Sequence, residues 1–329
     1  MKQLDHQLPN ELLRTDSLAI GYRTGSTQNT LLENLNLIVR KGELICFMGP
    51  NGIGKSTLIR TLAGLQSSIS GRVFTHQQDL KPGIEKSISL VLTDRITAVN
   101  MTVQELVTYG RYPYLDWNLK LTAEDNNIIQ QAIAQTHIEN LAQKKLYELS
   151  DGQMQMAMIA RALAQDTPVL LLDEPTAHLD LNNRVEIMNL LRNLAHHSGK
   201  GILVATHELD LALQTADTIW LTGKNKNILT GIPEDLVLNG SFDDIFQFKG
   251  FDLKTGKVFH EAWRGISIAL IGEGYEYLWT KNALERNGFL TDMKANFVVQ
   301  VSHEGNPLTW EFQGQVYHSL QQLLVALSS

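Results

Sequence analysis

Gly49-Pro50-Asn51-Gly52-Ile53-Gly54-Lys55-Ser56-Thr57 follows the apolar run Leu44 to Met48 and leads into the helix-compatible stretch Ser56 to Leu65. The pattern is GxxxxGK[ST] set between a strand and a helix, and that setting gives it chemical meaning. Glycines at 49, 52 and 54 let the backbone curl until successive N–H groups face inward, at the positive end of the following helix dipole. A phosphate fits such a cradle. Lys55 would neutralise the outer phosphate oxygens, and the Ser56 hydroxyl can ligate Mg²⁺. A plain Gly-rich turn is the bland alternative, and the flanking strand and helix count against it.

Working outward, Val169-Leu-Leu-Leu-Asp173-Glu174 is an apolar strand that ends in two acids. A buried strand delivers its terminal side chains to a fixed place. Asp173 can therefore hold Mg²⁺ through its waters while Glu174 polarises an attacking water as general base. A core strand emerging at the surface would look the same if it stood alone.

Between Leu12 and about Leu236, short β-rich runs alternate with helical patterns, the signature of an α/β sheet with helices packed on it. Ser17 to Tyr22, Leu35 to Val39, Leu44 to Met48, Ser89 to Leu92, Val169 to Leu172, Ile202 to Thr206 and Thr218 to Leu221 are the expected strands. The stretch from about 98 to 165 reads almost wholly helical and is expected as a subdomain inserted between sheet strands. These parts make one domain over residues 12–250. A small α+β domain over 260–329 is expected to follow. In it Gly265 to Ile271 reads as a strand and Tyr275 to Asn287 as a helix that Gly288 ends. Phe297 to Ser302 and Leu308 to Phe312 read as a hairpin, and Leu320, Leu323, Leu324 and Leu327 form one apolar helical stripe. On the preceding helix, Tyr275, Trp279 and Ala283, widened by Leu278 and Leu284, form the expected core face.

The 329 residues are 43% hydrophobic and 19% charged with a formal net charge of −7, which disfavours a general nucleic-acid binder. Apolar runs such as Ile266 to Ile271 fall far short of the roughly 20 residues of a membrane helix. Met1 to Arg14 lacks the basic and apolar segments of a signal peptide, so a cytosolic location is expected. The lone Cys46 lies in an apolar run and reads as a buried reduced thiol.

Leu149-Ser150-Asp151-Gly152-Gln153, about twenty residues before Asp173, resembles the LSGGQ signature of ATP-binding cassette proteins, with Asp151 replacing the first glycine. Leu179-Asp180 resembles the D-loop of that family, Ala205-Thr206-His207 its switch histidine, and Tyr22 the aromatic on which adenine stacks. With the phosphate loop and the two acids, the elements stand in the family's order. The resemblance spans about residues 12 to 248. It implies a P-loop α/β fold, ATP with Mg²⁺, and a head-to-tail homodimer. In that dimer Ser150, Gly152 and Gln153 of one subunit close over the γ-phosphate held by Lys55 of the other, and His207 senses that phosphate.

Met101-Thr-Val-Gln-Glu-Leu-Val-Thr-Tyr-Gly110-Arg111-Tyr112-Pro113-Tyr114 is similar to the TVxExVxxGRxP segment of ATPases serving iron–siderophore, haem and cobalamin importers. That resemblance implies two integral-membrane permease subunits as partners, a substrate-binding protein acting indirectly, and a peripheral place on the cytoplasmic face of the inner membrane. The local alternative is a partnerless helix from Val103 to Tyr109 stopped by Gly110 and Pro113. Leu90-Val-Leu-Thr93-Asp94-Arg95 departs from the family, which carries a glutamine there to touch Mg²⁺ and the attacking water. Thr93 or Asp94 is the expected substitute, with more weight in stimulation by the permease than in basal hydrolysis. Two other readings stay open at this point: a soluble cassette ATPase of translation or DNA repair, and a nucleotide-gated regulator without turnover. A single cassette and the absence of a long coiled coil argue against the first. Glu174 and His207 argue against the second.

Overall fold

A computed structural model describes residues 10–25, 27–75, 78–79, 86–93, 100–302 and 308–328. The chain separates into two compact units, Met1–Gln247 and Phe248–Ser329.

In chain order the first unit contains β1 (Glu11–Thr24), β2 (Thr27–Leu35), β3 (Ile38–Arg40), β4 (Leu44–Met48), α1 (Lys55–Leu62), β5 (Ser70–Thr75), β6 (Gln78–Asp79) and β7 (Ile88–Val91). Then come α2 (Val103–Thr108), α3 (Ala123–Gln135), α4 (Asp151–Ala164), β8 (Val169–Asp173), α5 (Leu181–Ser198), β9 (Gly201–Ala205), α6 (Leu209–Thr215), β10 (Thr218–Thr222), β11 (Ile228–Gly231), α7 (Pro233–Leu238) and α8 (Ser241–Phe246). Every residue of β4, β8 and β9 is buried, as continuous apolar runs must be when both faces of a parallel sheet are covered. These strands form the centre of a sheet ordered β11-β10-β4-β9-β8-β7. All its pairings are parallel except β10 with β11. A second, antiparallel sheet, β2-β1-β5-β6 with β3 also on β1, shares its core with the first. Leu58, Ile59 and Leu62 of α1 join Ile20 and Leu32 on one side to Phe47, Leu171 and Trp220 on the other. The Cys46 thiol lies fully buried in β4, and burial pushes its pKa up to about 12, so it is an inert part of this core.

The antiparallel sheet differs most from the sequence reading. β1 runs well beyond the expected Ser17 to Tyr22, because it pairs with β3 and β5 through its first half and with β2 through its second. The expected strand Leu35 to Val39 is divided between the end of β2 and β3, and β2, β5 and β11 were not expected. Their half-exposed, polar-rich sequences lack the alternation that marks a strand locally.

β7 and β8 are parallel neighbours, with Ile88 opposite Val169, and the helical layer is the connection between them. Capping boxes start each of its helices, Thr102 with Glu105 for α2, Thr122 with Asp125 for α3 and Ser150 with Gln153 for α4. Gly110 and Arg111 are interior to this layer: a Cβ on Gly110 would stand 2.3 Å from the Arg161 carbonyl oxygen. The buried Arg111 guanidinium pairs with Asp125 at 2.8 Å and donates to the Ala164 carbonyl at 3.1 Å.

The second unit contains β12 (Phe251–Asp252), β13 (Lys257–Val258), β14 (Ser267–Ile271), α9 (Gly274–Arg286), β15 (Leu290–Thr291), β16 (Phe297–Ser302), β17 (Thr309–Phe312), β18 (Gln315–Tyr317) and α10 (Leu320–Ser328). Its sheet runs β15-β14-β16-β17-β18, parallel around β14 and antiparallel beyond β16. The hairpin strands pair with Val299 opposite Phe312, while its turn, residues 303–307, lies outside the described residues. Leu323 is buried against Ile268, Leu270, Val299 and Trp310, with Leu320, Leu324 and Leu327 packed alongside. The α9 face is corrected in part: Tyr275, Leu278 and Trp279 are exposed, while Ala283 and Leu284 are buried as expected and are joined by Thr280. The Trp310 indole N–H donates to Thr280 Oγ1 at 2.7 Å, so a buried threonine rather than an aromatic registers this helix on the sheet. Among the described residues no helix is long and apolar enough to cross a membrane.

Candidate active site

The loop from Gly49 to Gly54 joins the end of β4 to α1. A Cβ on Gly49 would lie 2.7 Å from the Thr222 carbonyl oxygen, and Gly52 and Gly54 adopt φ of 76° and 115°, which side chains resist. The loop is thus shaped by steric need at all three glycines. Ile53 N–H closes on the Pro50 carbonyl at 3.4 Å, and Asn51 stands exposed between them. Lys55 is buried, and its Nζ donates to the Gly49 carbonyl at 2.9 Å. Burial lowers its pKa, while the charges of Glu174 and Asp173 push the other way. A cation held on the carbonyls of a glycine-rich loop and within the field of two carboxylates suits a polyphosphate with its metal.

Strand register brings the acids to this place. Asp173 stands opposite Ala205 in the β8–β9 pair, so the residues just beyond each strand emerge together. Glu174 and His207 do so, with the Glu174 carboxylate 3.5 Å from His207 Nδ1. His207 Nε2 lies 3.8 Å from Glu208, which is itself paired to Arg184 at 2.9 Å. Glu174 has φ 48°, and the left-handed region costs a non-glycine residue about 1–2 kcal/mol. Its N–H is held by the Ala205 carbonyl at 2.9 Å.

Ser56 Oγ donates to Asp173 Oδ1 at 3.1 Å. Burial raises the pKa of Asp173 and the Glu174 charge adds to this, against the Ser56 bond and the charges of Arg60 and Lys55. A buried carboxylate left short of positive charge, next to a hydroxyl, suits a hard divalent cation that takes its other ligands from phosphate and water. Among the described residues no cluster of three or more His, Cys, Asp or Glu side chains could hold a metal. The Ser56–Asp173 pair therefore fits Mg²⁺ bound with a nucleotide and not a closed protein cage.

The Tyr22 hydroxyl and Thr57 Oγ1 share a hydrogen bond of 2.8 Å, which ties the tyrosine to the phosphate loop while its ring stays half-exposed. Gly21, before it, allows the β1–β2 approach, since a Cβ there would sit 2.0 Å from the Asn29 carbonyl oxygen. Ser150 caps α4, accepting from the Gln153 N–H at 3.3 Å and donating its own N–H to Gln153 Oε1 at 3.2 Å. Asp180 caps α5 through the Asn183 N–H at 2.9 Å and also accepts from Asn183 Nδ2 at 2.8 Å. A Cβ on Gly152 would meet Asn183 Oδ1 at 2.6 Å, so Asn183, which the sequence reading did not single out, links Gly152 to Asp180. Among the described residues no hydrogen bond joins Ser150, Gly152 or Gln153 to the loop 49–57. Thr93 reaches the site, donating from Oγ1 to the Asp173 carbonyl at 2.9 Å, and Asp94 lies outside the described residues.

A sequence profile described as ABC transporter matches residues 32–177, and one described as Iron ABC transporter C-terminal domain matches residues 265–328. An uncharacterised ABC transporter ATP-binding protein of Methanocaldococcus jannaschii is 38% identical over 242 residues, 72% of this chain and 82% of that protein. The petrobactin import ATP-binding protein FpuD of Bacillus anthracis is 34% identical over 241 residues, 72% of this chain and 87% of its own length. Among solved structures, a nucleotide-free ATP-binding cassette from an ABC transporter superposes with a TM-score of 0.63 at 26% identity, over 72% of this chain and 98% of that one. A dimeric ATP-binding cassette bound to ADP and Pi in a post-hydrolysis state superposes with a TM-score of 0.57 at 26% identity, covering 68% and 99%. The phosphate loop at the end of β4, the acids at the end of β8 and these likenesses agree: the chain belongs to the ABC transporter family as an ATP-binding, ATP-hydrolysing cassette subunit.

Proposed function

We propose that this subunit drives uptake of an iron–siderophore complex, hydrolysing MgATP at two sites sandwiched in a homodimer. The observation that carries the ATPase chemistry is the convergence of Lys55, Ser56, Asp173, Glu174 and His207 at the carboxyl end of the parallel sheet. Lys55 and the loop amides from Gly49 to Thr57 bind the β- and γ-phosphates, and Tyr22 offers its half-exposed ring to adenine. Ser56 and Asp173 hold Mg²⁺, which when bound neutralises charge on the phosphate oxygens. Glu174 accepts a proton from the attacking water, and His207, beside it, contacts the γ-phosphate. Ser150, Gly152 and Gln153 at the α4 N-terminus complete the partner's site, with Asp180 shaping the facing turn. The dimeric cassette among the similar structures supports this assembly.

The iron–siderophore cargo is supported by the C-terminal match and by the petrobactin import relative. The membrane path is supplied by two separate permease subunits, which a binding protein loads, and the ATPase sits peripherally on their cytoplasmic side. Tyr109, Tyr112 and Trp117, exposed on the helical layer beside the buried Gly110 and Arg111, provide an apolar surface for that docking.

Glu174→Gln tests the chemistry. Steady-state hydrolysis is expected to fall by about 10²- to 10⁴-fold, the usual contribution of a positioned base, while ATP still binds and size-exclusion chromatography shows a nucleotide-trapped dimer. Near wild-type turnover would remove Glu174 from its role. Uptake of labelled ferric siderophore, haem and cobalamin by cells with and without the gene tests the cargo, and loss confined to haem or cobalamin would refute the iron–siderophore assignment.

A further inference from the structure

The described part of the segment leaving β7 ends on Thr93, one of the two positions, with Asp94, at which the family's glutamine is expected by resemblance. Thr93 Oγ1 donates to the Asp173 carbonyl at 2.9 Å. That carbonyl belongs to the same peptide unit as the Glu174 N–H, which donates to the Ala205 carbonyl at 2.9 Å. Both polar groups of one peptide are therefore held, one from the β7 side and one from β9, with β8 between them. Glu174 leaves this peptide at φ 48°, a conformation that persists in a non-glycine residue only where the surroundings impose it. Thr93 and Glu174 also line one cavity of about 230 Å³, together with Leu92, Leu149, Met154 and Met158.

We infer that Thr93 is a positioning residue for the general base: its hydroxyl fixes the Asp173–Glu174 peptide and so sets where the Glu174 carboxylate stands. A threonine hydroxyl has one proton to give. Here it goes to the Asp173 carbonyl, so Thr93 acts through the backbone of the base and donates nothing to a bound phosphate or water. This departs from the expectation that Thr93 serves mainly the response to the permease, because a bond to the catalytic peptide matters whenever ATP is hydrolysed. The inference rests on Glu174 being the base, and its test separates the two.

The full-length chain is compared as wild type, Thr93→Val, Thr93→Ser, Glu174→Gln and the Glu174→Gln/Thr93→Val double variant, by steady-state ATP hydrolysis with magnesium and by equilibrium binding of a fluorescent ATP analogue. Thr93→Val keeps the shape and removes the donor, and is expected to lower kcat about five- to tenfold, the worth of one hydrogen bond, with nucleotide affinity unchanged. Thr93→Ser restores the donor and should restore kcat. In the Glu174→Gln background Thr93→Val should lower the residual rate no further. If Thr93→Val fails to fold by circular dichroism, Thr93→Ala takes its place. A Glu174→Gln chain with normal turnover would sink the assignment of the base itself. With Glu174→Gln inactive, wild-type kcat in Thr93→Val overturns the positioning role. So does loss of affinity and thermal stability in parallel with kcat, or failure of Thr93→Ser to rescue.

Discussion

Asp173 is a buried carboxylate whose native environment disfavours its charge until a cation arrives. Because burial holds its pKa above the ordinary carboxylate range, the native state binds more protons than the unfolded chain between the two values, and stability falls as pH rises through that window. Asp173→Asn removes the titration. Without nucleotide, the variant should melt higher than wild type at neutral pH, and the gap should close as pH falls toward about 3.9, the unfolded value. MgATP should then raise the wild-type melting temperature and leave the variant little changed. Thermal melts across pH decide this, and equal melting at neutral pH without ligand would refute the cost. Lys55→Ala deletes the cation that meets the phosphates, and a fluorescent ATP analogue should lose binding; undiminished affinity would move the site elsewhere. Where these residues stand was legible in the sequence because the loop and the paired acids are contiguous motifs whose flanking strands already say where they point. Thr93 bonded to Asp173 and Asn183 seated between Gly152 and Asp180 were not, since each depends on a contact between segments far apart in the chain.

The helical layer is the element on which the signature segment is mounted. Read locally, Gly110-Arg111-Tyr112-Pro113 is a helix stop, and by resemblance it is a marker of importer ATPases. In the fold its glycine is demanded by contact with the Arg161 backbone, and its arginine by a buried pair with Asp125. The hydrogen bonds from Thr122, and after them the Arg111 guanidinium, hold Asp125 below the usual carboxylate range against its burial. Arg111→Ala would leave Asp125 buried without its partner and should cost about 3–5 kcal/mol, as breaking a buried pair does. Chemical denaturation measures the loss, and a shift under about 1 kcal/mol would mean the pair behaves as an exposed one. The capping boxes that open α2, α3 and α4 are local patterns, each closed within four residues. The strands of the antiparallel sheet were harder, because β1 changes partners along its length and its neighbours alternate poorly.

At the scale of the molecule the chemistry and the extra mass separate. Every residue assigned to nucleotide, metal or water lies in the unit ending at Gln247, and the unit from Phe248 onward has a core of its own built on Ile268, Leu270, Leu284, Phe289, Val299, Trp310, Phe312 and Leu323. That core is small, and a domain of about 80 residues is marginally stable alone. Gly272-Glu273-Gly274, which superficially resembles part of a dinucleotide loop, simply turns β14 into α9, and Glu273 makes no side-chain cap there. A carboxylate at that helix start would repel a phosphate. The tail is therefore expected to serve regulation or assembly, with none of the catalytic steps depending on it. A chain ending at Gln247 should fold, bind ATP with unchanged affinity and keep basal hydrolysis, while its nucleotide-dependent dimerisation or its response to the permease changes. Circular dichroism establishes folding, the fluorescent analogue establishes binding, and steady-state turnover decides the question. If the shortened chain is folded and binds ATP yet cannot hydrolyse it, the tail takes part in catalysis, and the division of labour argued from the two cores is wrong.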